Sequence, residues 1–161
     1  MTVTLMRSRW NERAVRRLSP VEALVYRSRL IGDEATLGLF GGGNTSLKAT
    51  EPDLLGRPQA VLWVKGSGAD LKGCEPRHFS PLPLVTLRAL TERRTMSDEE
   101  MVRFLERCLL NPTAPRPSIE TLLHAFVPDV AVDHTHADAI LALANTRHGR
   151  PLIRDVLGPD L

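Results

Sequence analysis

The sequence predicts one mixed α/β domain. Three observations carry that expectation: a dense β-forming run, Ala60-Val61-Leu62-Trp63-Val64; a helix opened by Ser97-Asp98-Glu99-Glu100; and glycine clusters that follow apolar runs, Gly41-Gly42-Gly43 and Gly66-Ser67-Gly68. β-Branched and aromatic residues suit a buried pleated surface. Ser97 and Glu100 make a capping box, each side chain satisfying an orphan amide of the other's backbone. Glycines permit backbone conformations closed to other residues, so they mark strand ends and turns.

The chain has 161 residues, which suits a single domain spanning 1–161, and 42% of them are hydrophobic, enough for a real core. A net charge of +2 gives no electrostatic case for nucleic acid. The early arginines Arg7, Arg9, Arg13, Arg16 and Arg17 read as a solvated helix face. Cys74 and Cys108 form no Cys-X-X-Cys, which points to a reducing compartment without a structural disulfide. No signal-peptide core is visible, and no apolar run approaches the roughly 20 residues that span a bilayer. The expectation is a soluble, cytoplasmic protein that binds neither nucleic acid nor membrane.

In chain order, Met1–Arg9 reads as a lead-in. Asn11–Ile31 has helical periodicity in two pieces, the second capped by Ser19-Pro20 with Glu22 and closed by Gly32. Leu37–Phe40 reads as a strand feeding Gly41–Ser46, with Leu47–Ala49 as the return of a hairpin. Glu51–Gln59 reads as loop, Ala60–Val64 as a buried strand, and Ala69–Phe79 as loop with a possible short strand. Pro81–Leu90 reads as helix, Thr91–Met96 as a charged connector, and the capping box starts a helix that runs through Leu109. Asn111–Pro117, with three prolines, is loop. Ser118 is expected to cap a helix that begins near Ile119. Ala137–Asn145 reads as helix, and Pro151–Val156 as a short amphipathic strand or helix.

The two glycine-rich strand ends suit a turn each, and together they also suit one anion pocket, since adjacent Asn44, Thr45 and Ser46 add donors and Lys65 adds a cation. Neither is a Walker loop or a dinucleotide fingerprint. Near the C-terminal end, Val130-Ala131-Val132 leads into Asp133-His134-Thr135-His136. Alternate strand residues share a face, so His134 and His136 project together as metal ligands must, with Val130, Val132, Ala137, Ile140 and Leu141 as an apolar wall. A pair of ordinary boundary histidines fits the same spacing, because His-X-His supplies only part of a zinc shell. Glu120 also suits a helix start without any catalytic role. His124, one turn later, either faces the same cavity or, the reading favoured, is a helix-surface residue or a neighbour of the site.

Taken together and in order, GGGNTS, WVKGSG, PSIETLLHA and DHTHADA resemble the class II aldolase/adducin family. More narrowly they resemble the N-terminal aldolase part of bifunctional rhamnulose-1-phosphate aldolase/alcohol dehydrogenases. The resemblance implies a three-layer α/β/α fold with a mainly antiparallel sheet. It implies Zn2+ or another divalent metal held by His134 and His136, with Glu120 as metal neighbour and general acid/base. It implies a phosphate pocket at Gly43, Asn44, Lys65, Gly66, Ser67 and Ser118. The implied reaction cleaves a ketose 1-phosphate, such as rhamnulose 1-phosphate, through an enediolate to dihydroxyacetone phosphate and an aldehyde. Epimerase, dehydratase or decarboxylase relatives, and a non-catalytic adducin-like interaction module, are the alternatives. The implied partners are a phosphorylated sugar, further copies of the chain, and a C-terminal NAD-dependent dehydrogenase module. The family's third zinc histidine has no counterpart here, since His148 comes too early. The chain is therefore expected to be C-terminally truncated and, alone, poorly active.

Overall fold

The computed structural model describes residues 7–38 and 41–158. Among these, four strands, β1 Asn44–Pro52, β2 Pro58–Lys65, β3 Phe79–Pro83 and β4 Ala131–His134, form one sheet in the order β3-β2-β1-β4. Every neighbouring pair is antiparallel. The helices of the described residues are α1 Glu12–Val15, α2 Pro20–Gly32, α3 Leu84–Arg88, α4 Asp98–Arg107, α5 Thr121–Phe126, α6 Asp138–Ala144 and α7 Gly149–Leu157.

Strand alternation sorts the core into two layers. On β2, Leu62 and Val64 point to one face and pack with Leu82, Leu84, Leu87, Leu105 and Ala125, which places α3, α4 and α5 there. Trp63 points the other way, joining Leu47, Cys74 and Phe79 under Leu24 and Val25 of α2. Helices thus cover both faces, giving the three-layer α/β/α arrangement. Both cysteines are free, with Cys74 buried.

Both expected capping boxes form, at Ser19/Glu22 and Ser97/Glu100. Gly32 is the last residue of α2, and an added Cβ there would lie 2.2 Å from the Lys72 backbone nitrogen. Several expectations are corrected. The strand expected at Leu37–Phe40 does not form over its described part: residues 35–37 are turn, and Leu39 and Phe40 lie outside the described residues, as do Met1–Met6. Leu47–Ala49 is therefore not a hairpin return. It is the middle of β1, which pairs with β2 from Ser46↔Val64 to Pro52↔Pro58. The loop expected over Glu51–Gln59 shrinks to a turn whose Asp53 carboxylate accepts the Leu55 and Arg57 amides. Phe79–Pro83, partly read as helix, is an edge strand; its two prolines lack donors, which an edge position tolerates. Ser118 caps no α-helix: it sits in a turn, and α5 starts only at Thr121 behind Glu120. Pro151–Val156 falls within helix α7.

Candidate active site

One end of the sheet collects the start of β1 and the ends of β2 and β4. Asn44 and His134 are register partners. Beyond β2, Gly66 bridges Pro117, and the Ser67 amide donates to Arg116 O at 2.9 Å. The segment before α5 is thereby tied to the same end. There Ser118 Oγ accepts the Glu120 amide at 3.2 Å, and Thr121 Oγ1 donates to Ser118 O at 2.5 Å.

Three side chains converge on this frame. Glu120 Oε1 lies 2.9 Å from His134 Nδ1. The His134 and His136 rings are 4.9 Å apart between centroids, inclined at 56°. Candidate ligand atoms of Glu120, His134 and His136 all lie within 4.8 Å of one another. His134 Nδ1 is buried and makes no aligned hydrogen bond among the described residues, despite its closeness to the carboxylate. Two donor atoms facing a common point without a proton aligned between them fit a shared cation. The cluster is open to solvent on one side, with the His134 and Glu120 side chains 31% and 29% exposed.

The alternation of β4 explains the arrangement. His134 and Val132 share the α5 face, whereas Asp133 points to α2. There Arg27 Nε donates to Asp133 at 2.9 Å while Arg27 Nη2 donates to Ser46 O at 2.6 Å. Burial pushes the Asp133 carboxyl up, and Arg27 works against that shift. For Glu120, burial also pushes upward, but His134, the Asn44 amide and His124 outweigh it and hold the carboxyl below its ordinary value. His136 lies one residue-pair past the strand end, in the loop before α6. The apolar wall expected around the histidines forms only in part: Val132, Ala137 and Leu141 are half-buried, whereas Val130 is 63% and Ile140 44% exposed.

The residues read as a phosphate pocket sit at the same sheet end but in different settings. Gly43 takes φ +81°, and an added Cβ would lie 2.8 Å from His134 O, so glycine lets β1 and β4 cross closely. Asn44 is buried; its Oδ1 accepts the Thr45 amide and its Nδ2 lies 3.4 Å from Lys65 O. Lys65 follows Trp63 onto the α2 face, where its buried ammonium donates to Ala69 O at 2.6 Å and Gly66 O at 3.3 Å. Burial pushes its pKa down, against the pull of Glu120. Gly66 donates its amide to His78 O and has no room for a Cβ beside Pro115. The Ser67 side chain is exposed. Ser118 is buried, with Oγ 3.4 Å from Glu120 Oε2. His148 is exposed before α7.

His124 is where reading a helix surface goes wrong. It is fully buried, with Nδ1 2.8 Å from Ser46 Oγ and Nε2 unpaired among the described residues. Burial is the main cause that drives its pKa down to about 4. The available signal is the alternation of polar residues Asn44, Ser46 and Lys48 on one face of β1. Each meets the α5 segment, Asn44 at Glu120, Ser46 at His124, and Lys48 at the carbonyls of Val127 and Asp129.

The sequence profile of the class II aldolase and adducin N-terminal domain matches residues 22–158. The chain is 50% identical over 148 residues to a Bacillus subtilis (strain 168) protein named uncharacterized oxidoreductase YuxG; the match covers 92% of this chain and 22% of that protein. The structure of the N-terminal class II aldolase domain of a conserved protein from Thermoplasma acidophilum superposes with a TM-score of 0.85 at 44% identity, covering 96% of this chain and 71% of that one. The chain thus spans about a fifth of the length of the curated relative it matches. With the profile, the identity and the three-layer fold in agreement, the chain belongs to the class II aldolase and adducin family.

Proposed function

We propose that the chain is the metal-dependent aldolase part of its protein and acts on a ketose 1-phosphate such as rhamnulose 1-phosphate, releasing dihydroxyacetone phosphate and an aldehyde. The observation that carries this reading is the buried, unaligned His134 Nδ1 at 2.9 Å from Glu120, with His136 completing the group. Two imidazoles and a carboxylate suit zinc or a similar divalent ion. Bound there, such an ion supplies Lewis-acid stabilisation of the charge that develops on the substrate's carbonyl oxygen. Cleavage removes a proton from the C4 hydroxyl, breaks the C3–C4 bond and returns a proton to C3. Glu120, held ionised by its neighbours in the free site, is assigned to accept the proton released by the C4 hydroxyl and then, as the acid so formed, to return it to C3.

The phosphate is assigned to the rim made by Gly43, Asn44, Lys65, Gly66, Ser67 and Ser118. The amides of Gly66 and Ser67 are already used, so attraction falls on the serine hydroxyls, while Lys65 shapes the turn from behind. Flanking Glu120 in the sequence, Ile119 and Leu123 are 65% and 54% exposed, apolar side chains of the kind that further copies of the chain cover. The oxidoreductase name and greater length of the Bacillus relative support a dehydrogenase module elsewhere in the protein.

The test is metal analysis of the purified chain after zinc loading, with dihydroxyacetone phosphate release from rhamnulose 1-phosphate measured alongside. One zinc per chain, lost in His134→Ala, together with product release that is weak from the chain alone and absent from that variant, is the expected result. A chain that takes up no metal under any loading condition overturns the reading in favour of an interaction module.

A further inference from the structure

The alternating polar face of β1 is keyed to α5 with matched spacing. Two residues along a strand advance about 6.6 Å, and four along a helix about 6 Å. Asn44 therefore meets Glu120, and Ser46 meets His124 one step further back. The same step separates His134 from Val132 on β4, their register partners. A helix of six residues has little stability of its own, so its placement depends on such contacts. The polar contacts at its far end are Lys48 Nζ to Val127 O and Asp129 O, and Arg88 Nε to Ala125 O. Of the side-chain bonds that tie the helix to β1, the nearest to Glu120 is the buried one between His124 and Ser46, and the His124 amide in turn donates to Glu120 O at 3.1 Å.

We infer that His124 is a positioning residue: its Nδ1 contact with Ser46 fixes the register of α5 on β1 and so holds the Glu120 carboxylate against His134. This rests on the metal reading above and deepens it. The ring acts through Nδ1 alone, since Nε2 has no partner among the described residues. Asparagine, whose amide overlays Nδ1 and lacks Nε2, should therefore preserve the function, whereas leucine should not. Removing the bond from its other end, by Ser46→Ala, should reproduce the leucine defect without touching the imidazole.

The experiment titrates Co2+ into the purified full chain and into His124→Leu, His124→Asn and Ser46→Ala, following the visible absorption of the bound ion and its displacement by Zn2+. Residues one step removed from metal ligands typically alter affinity by about tenfold or more. The expected result is a roughly tenfold weaker Co2+ affinity and an altered spectrum for the leucine and Ser46→Ala variants, with asparagine within about threefold of wild type. Folded leucine or Ser46→Ala variants that match wild type in affinity and spectrum overturn the inference. If His124→Leu does not fold, Ser46→Ala decides. A wild-type chain that binds no Co2+ overturns the metal reading instead. The inference is then judged by hydrogen exchange of the metal-free chain: faster exchange over residues 120–124 in Ser46→Ala supports it, and unchanged exchange overturns it.

Discussion

At the scale of single residues, burial makes His124 a determinant of acid stability. It is neutral when folded, with a pKa of about 4 against an ordinary value of 6.5. The unfolded chain therefore binds more protons between those values, so stability is full above pH 6.5 and falls as pH drops toward 4. Between pH 7 and 5 the expected loss is about 2 kcal/mol, read from urea midpoints, and His124→Leu should flatten that dependence. Gly43 offers a second test. With φ +81° and His134 O only 2.8 Å from where an added Cβ would stand, Gly43→Ala should cost about 2 kcal/mol or more. Gly41, at φ +78° but with nothing near, should cost about 1 kcal/mol when changed to alanine. The pairing of His134 and His136 was legible from strand alternation, whereas the place of Glu120 beside them came only through the family resemblance, because α5 and the turn into β4 separate it from the histidines. The setting of His124 was not, because its partner Ser46 lies 78 positions away.

Among elements, legibility follows how local the causes are. β2 and α4 announce themselves through β-branched residues and a capping box. β3 does not, because Pro81 and Pro83 argue against a strand until the sheet order shows it to be an edge. The register Trp63↔Pro81 and Val61↔Pro83 is then what seats it. The turn at Ser118 hides for another reason: its hydroxyl caps the Glu120 amide two residues on, which from sequence alone is indistinguishable from an α-helical cap. For α5, the contacts of Lys48 with the Val127 and Asp129 carbonyls close its C-terminal end. Lys48→Met should cost about 1–3 kcal/mol and speed hydrogen exchange over residues 121–126, with the exchange of β2 unchanged.

For the whole molecule, binding that favours only the folded state should raise its melting temperature. At a metal concentration a hundred times the dissociation constant the gain is about 2.7 kcal/mol. For a domain of this size that is a rise of roughly 5–10 °C, which a chelator should reverse and which a double His134→Ala/His136→Ala chain should not show. The three-layer plan was legible only through the family resemblance, since composition and periodicity distinguish helices from strands without ordering them. Strand order has its own consequence. β1 is complete by residue 52, yet its second neighbour, β4, arrives only at residues 131–134. During synthesis the β1 edge must wait, unpaired, until everything between Pro52 and Ala131 has emerged. An open edge of that kind recruits strands from other chains. Chains stalled or cleaved before Ala131 should therefore aggregate more readily than chains that carry β4, and assembly of the Glu120–His134 pair should be among the last events of folding.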